Sequence, residues 1–163
     1  AATAEAVVIP AARLSSPEAL SPRRPGLWLD GWAERQLKAG DAASVKAATE
    51  KLFTDAVRAD LPLILYWQGR AELALGKNYD EAALILLRVA IEFPGSTHAP
   101  YGLYYAAEAL AKGGRALYAQ NVRRELVARY RHSRDLVVGQ MVEETQRGLA
   151  TTQPSKREGE GMR

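Results

Sequence analysis

The chain has no cysteine in its 163 residues. That absence removes disulfides, thiolate nucleophiles and cysteine-ligated zinc together, while saying little about the redox compartment. Histidine is almost as scarce: His98 and His132 lie 34 residues apart, with no partner at metal-ligand spacing. Because a metal site needs three or four N, S or O ligands, two surface histidines are the simpler reading, and no cofactor or metal is expected. No apolar run approaches the roughly 18 to 20 residues needed to span a bilayer, so no transmembrane helix is expected. No segment alternates apolar and polar residues in the period of a strand, and no glycine loop stands where a phosphate-binding turn would need one. The formal charge is only +3, with a pI near 9.3, well short of a nucleic-acid-binding arm. Nucleic acid is therefore not an expected partner.

What remains is a chain that is 47% hydrophobic, enough for one packed domain. Residues 1–26 hold Pro10, Pro17, Pro22 and Pro25 among alanines and serines, which prevents a continuous helix and reads as a linker. The chain begins Ala-Ala-Thr-Ala-Glu-Ala without a methionine, consistent with a processed or an excised start. Residues 151–163 form a polar tail without an aliphatic run, and both tails are expected to be disordered. Between them, 27–150 carries helical periodicity almost throughout. The expected helices are 27–39, 42–58, 62–75, 79–93, 98–112, 115–131 and 134–149, with little or no sheet: an all-α fold.

The punctuation has physical causes. Asn78 ahead of Asp80 and Glu81 offers an N-cap, with Glu81 placed as in a capping box. Pro62 and Pro100 suit a first helical turn, where a missing N–H costs nothing. Gly40, Gly76 and the Gly113–Gly114 pair supply left-handed helix ends, and Pro94 disfavours helix at Phe93. Ser96 or Thr97, and Ser133, are candidate caps for the helices that follow.

The chain also aligns with itself. At an offset of 38, Pro62 meets Pro100, Tyr66 meets Tyr104, Trp67 meets Tyr105, Gly69 meets Ala107 and Gly76 meets Gly114. At an offset of 37, Ala82 meets Ala119, Val89 meets Leu126, Phe93 meets Tyr130 and Ser96 meets Ser133. One extra residue near Lys77 reconciles the two. A helix pair recurring at this period signals a helical-repeat array. Gly69, Ala82, Ala107 and Ala119 are expected at close helix contacts, with Leu86, Val89, Phe93, Leu126, Val127 and Tyr130 filling the layer between pairs. A fainter copy runs over 27–57, its second helix presenting Val45, Ala48, Leu52, Phe53 and Ala56. The unpaired last helix, with Leu136, Val137, Met141 and Leu149 on one face, reads as a cap on the stack.

The stretch 62–133 resembles tetratricopeptide repeats. The resemblance rests on the small residues Gly69 and Ala107, the turn glycines Gly76 and Gly114, the alanines Ala82 and Ala119, and "FPGS" with its echo "YRHS". The spelling is similar to the repeats of bacterial exported proteins, such as the periplasmic coordinator of the Tol-Pal system and outer-membrane assembly lipoproteins. Glu72, where an aromatic or aliphatic residue is usual, departs from the pattern. The resemblance implies a superhelix whose first helices line a concave groove holding a peptide or partner protein. It implies a periplasmic or cell-envelope location, a cytoplasmic one being the alternative.

Carrying the groove positions over selects Tyr66 and Arg70, then Tyr104 and Glu108, then Asp30 and Glu34 in the faint copy, with Tyr101 one turn before Tyr104. Tyr66 and Tyr104 are expected side by side on adjacent helices, with Arg70 and Glu108 pairing with each other or answering charges on the ligand. The expected function is a non-catalytic protein–protein interaction module. The alternative is a structural or assembly subunit in a larger complex or homo-oligomer. Arg123, Arg124, Arg129, Arg131 and Arg134 crowd the sixth helix and its exit, where helix-dipole complementarity is a sufficient reason for them.

Overall fold

The computed structural model describes residues 24–151, and within them the chain is all helix and turn. The expected tails at 1–26 and 151–163 lie almost wholly outside the described residues. A short 3-10 helix at Pro25–Leu27 leads into seven α-helices: α1 Leu29–Lys38, α2 Ala42–Thr54, α3 Leu61–Leu75, α4 Tyr79–Glu92, α5 Ala99–Lys112, α6 Ala116–Tyr130 and α7 Leu136–Thr151. Each helix packs on the next in sequence, and α1, α3, α5 and α7 also touch in succession. The odd-numbered helices therefore form one face of the molecule.

Local chemistry sets most boundaries. Pro62 and Pro100 stand in the first turns of α3 and α5, and Gly40, Gly76 and Gly114 take positive φ at helix exits. Asp41 caps α2, accepting from the Ser44 N–H at 3.1 Å. Asn78 caps α4: its Oδ1 accepts from the Glu81 N–H at 3.1 Å, and its amide donates to Glu81 Oε2 at 3.3 Å. The box therefore closes side chain to side chain.

Three expectations are corrected. The second helix stops at Thr54, not 58, because Ala56 to Asp60 are needed to bring the chain back to α3; Phe53, in its last turn, is left exposed. The cap of α7 is Asp135, whose Oδ1 accepts from the Val137 and Val138 N–H groups at 2.9 and 3.2 Å, while Ser133 instead accepts from the Asp135 N–H. The buried stripe of α7 is Val138, Met141, Val142 and Thr145, with Leu136 and Val137 exposed. These four follow the i, i+3, i+4, i+7 spacing of one helix face.

Gly69 sits at a close helix contact, where a Cβ would lie 2.5 Å from Leu86 Cγ, and Ala82, Ala107 and Ala119 are buried. Gly102 is tighter still in kind: a Cβ there would meet the Leu86 backbone carbonyl at 2.8 Å, so α4 and α5 approach backbone to backbone. Glu72 is 3% exposed on α3 and forms an ion pair with Lys46 of α2. That bond holds the lysine's pKa above its ordinary value. A buried carboxylate is tolerated when a cation answers it, so the departure from the repeat pattern at Glu72 is locally compensated.

Candidate functional site

The exposed side of the odd-numbered helices carries a groove of about 830 Å³ between α1, α3 and α5. Helical spacing explains the wall residues. On α1, Asp30, Glu34 and Lys38 succeed each other one turn apart; on α3, Tyr66, Arg70 and Ala74 do the same; on α5, Tyr101, Tyr105, Glu108 and Lys112 form one stripe.

At one end, three elements converge on a single carboxylate. The Trp67 indole N–H donates to Asp30 Oδ1 at 2.6 Å, and His98 Nε2 lies 3.3 Å from the same oxygen. The hydrogen bond with His98 lowers the Asp30 pKa, burial opposes that shift, and the Trp67 bond adds to it. Asp30 thus joins α1 to α3 and to the start of α5. His98, expected at the surface, is half-buried in this knot, with the Tyr66 ring centroid 5.1 Å from its own.

Further along sits Arg70. Its guanidinium carbon lies 3.7 Å from the Tyr105 ring centroid and 5.7 Å from those of Tyr66 and Trp67. Its Nη1 donates to the Tyr66 hydroxyl at 2.8 Å. Tyr66 is only 6% exposed, and burial pushes its hydroxyl pKa up to about 12, so it stays a neutral acceptor at physiological pH. The groove's remaining charges pair along their own helices, Lys38 with Glu34 and Lys112 with Glu108, each at 2.8 Å.

Six of the seven residues selected from sequence line this groove: Asp30, Glu34, Tyr66, Arg70, Tyr101 and Glu108. Tyr104 does not. It packs edge-on against Tyr105 at 5.1 Å and faces a second, smaller groove of about 520 Å³ with Arg123, Glu144 and Thr145. The rings that meet Tyr66 across the helices are Tyr101 and Tyr105, with centroids at 6.3 and 6.2 Å. The expected Tyr66–Tyr104 pair is therefore corrected by one residue of helix rotation, and of the two alternatives for Arg70 and Glu108 the mutual ion pair does not form. Sequence reasoning missed Trp67, Tyr105 and His98 as wall residues. Trp67 and Tyr105 could have been found, since they align at the offset that matched the tyrosines. The Asp30–His98 contact spans 68 residues and has no local signal.

Among the described residues, no group of three or more histidines, aspartates or glutamates could hold a metal ion, and no helix is long and apolar enough to cross a membrane. Comparison with protein-family models, with curated proteins and with solved structures finds no match for this chain.

Proposed function

We propose that the chain is a non-catalytic interaction module of the tetratricopeptide-repeat kind. In this reading it holds an extended peptide, or a segment of a partner protein, in the groove between α1, α3 and α5. The sequence resemblance extends the proposal to a bacterial cell-envelope complex. The observation that carries it is the convergence of five residues chosen by repeat position, and of Tyr101 chosen one turn before Tyr104, on one groove walled by aromatic rings. The groove's volume lies within the range of ligand sites, about 300 to 1,000 Å³. Tyrosine and arginine are among the side chains enriched at binding hot spots: tyrosine brings a large contact area with few rotors, and arginine a planar fork of donors.

Ala74 offers a clean test. It is exposed and lines the groove, so Ala74→Trp fills the site without entering the core. Random peptides displayed on phage are selected on the wild-type chain and rescreened on Ala74→Trp. Enriched peptides that lose binding to a variant of unchanged melting temperature support the groove. Failure to enrich any peptide, or binding that survives Ala74→Trp, refutes it.

A further inference from the structure

Arg70 is chemically unfinished in a way its neighbours are not. Among the described residues it has no ion pair, whereas Lys38 and Lys112 each hold a carboxylate at 2.8 Å. Its one hydrogen bond is to a neutral phenol, through Nη1. Its flat face lies over Tyr105 and its flanks are bounded by Tyr66 and Trp67. A guanidinium stacked in this way is fixed in orientation but keeps its edge, because a ring engages the face and leaves the in-plane N–H groups to other acceptors. The Nε and Nη2 donors form the fork that matches a carboxylate in two parallel bonds.

We infer that Arg70 reads an acidic side chain, aspartate or glutamate, of the peptide held in this groove. The inference rests on the groove reading and gives it a ligand class. A partly desolvated cation held by rings, with Glu34 near enough to feel its charge but no carboxylate in contact, gains from an anion that arrives with the ligand. The surrounding carboxylates decide which anion. Asp30, Glu34 and Glu108 line the same groove, and Lys38 and Lys112 already pair with two of them, so one carboxylate answers the single unpaired cation whereas a doubly charged phosphate brings a second charge with no cation left for it. Glu34 and Glu108 each pair with a lysine one turn along their own helix, and neither reaches Arg70 at contact distance. Asp30 is held by Trp67 and His98. The aromatic walls contribute contact area and the arginine contributes register: a peptide placed with its acid elsewhere leaves both the guanidinium edge and its own carboxylate unpaired.

Phage-displayed random peptides are selected on the wild-type chain and on Arg70→Met. The expected result is an acidic residue enriched at one register position with the wild type and lost with Arg70→Met. A synthetic peptide from the selection is then measured by calorimetry beside its glutamine and phosphoserine counterparts at that position. On the wild type, glutamine should weaken binding by at least about tenfold and phosphoserine should bind more weakly than glutamate. On Arg70→Met, the glutamate and glutamine peptides should bind alike. Enrichment without an acidic position overturns the inference while leaving the groove reading intact. So does a glutamine penalty that persists on Arg70→Met, and tighter phosphoserine binding reassigns the site to phosphate. If no peptide is enriched, the groove reading fails and the inference with it. Should Arg70→Met unfold, Arg70→Lys keeps the charge without the fork; a glutamine penalty undiminished on Arg70→Lys overturns the two-point contact.

Discussion

The groove between α1, α3 and α5 and the one between α5, α6 and α7 share Glu108, yet they are built differently. The first is walled by tilted and edge-on rings around an arginine, and a single carboxylate joins three elements at its end. The second has one tyrosine, one arginine, two glutamates and small residues. The wall residue Trp67 belongs to the core cluster, so the first groove and the fold share atoms, whereas Tyr104 only packs at the edge of its cluster.

That difference can be broken most forcefully at Trp67. Trp67→Ala should cost about 3–5 kcal/mol, the usual range for deleting a buried large aromatic. Tyr104→Ala, at a half-buried ring, should cost only about 1–2 kcal/mol. Denaturant melts of the two variants decide the matter, and equal losses would erase the distinction between the grooves. Glycines sharpen it next. Gly102→Ala should destabilise by about 1–3 kcal/mol, because its Cβ would press on the Leu86 carbonyl where α4 and α5 meet. Gly139→Ala in α7 should stabilise by about 0.5–1 kcal/mol, since a Cβ there meets nothing within 4 Å and helix propensity improves. Opposite shifts in melting temperature are expected.

The smallest effect is electrostatic and lies in the Asp30 knot. The folded pKa of Asp30 is below its ordinary 3.8, so its ionised form contributes stability above that value and loses it as pH falls through the lower folded value. The stability gap between wild type and Asp30→Asn should therefore be constant near neutrality and shrink in strong acid. The carboxylate is 56% exposed, so solvent screening keeps the gap small. A gap that widens on acidification would mean that Asp30 is not held by these donors.

Most of the fold was legible because its punctuation is local. Gly40, Gly76, Gly114, Pro62 and Pro100 act within one turn of themselves, and the helices beside them start or end within two residues of expectation. The end of α2 has no such marker before Pro62, and there the reading overran. In α7 an apolar-only pattern misplaced the buried stripe because Thr145 belongs to it. That threonine is buried with its hydroxyl donating to the Met141 carbonyl at 2.8 Å, so the polar letter conceals a core position. Repeat alignment located the groove residues but not their contacts. Which ring faces Tyr66 depends on how α3 and α5 are rotated against each other. Alignment points to Tyr104, whereas the packed helices present Tyr101 and Tyr105.

The placing of Trp67 has an optical consequence. Trp28 and Trp32 form an edge-on pair 5.8 Å apart, and neither lines the groove, whereas Trp67 does so with its indole N–H on a carboxylate and a guanidinium over its ring. Indole emission responds to charge beside the ring. An anion arriving at Arg70 alters the field at Trp67 while leaving the other pair as a steady background. Replacing Trp28 and Trp32 with phenylalanine would turn the intrinsic fluorescence of the chain into a single-site record of groove occupancy, with no dye attached.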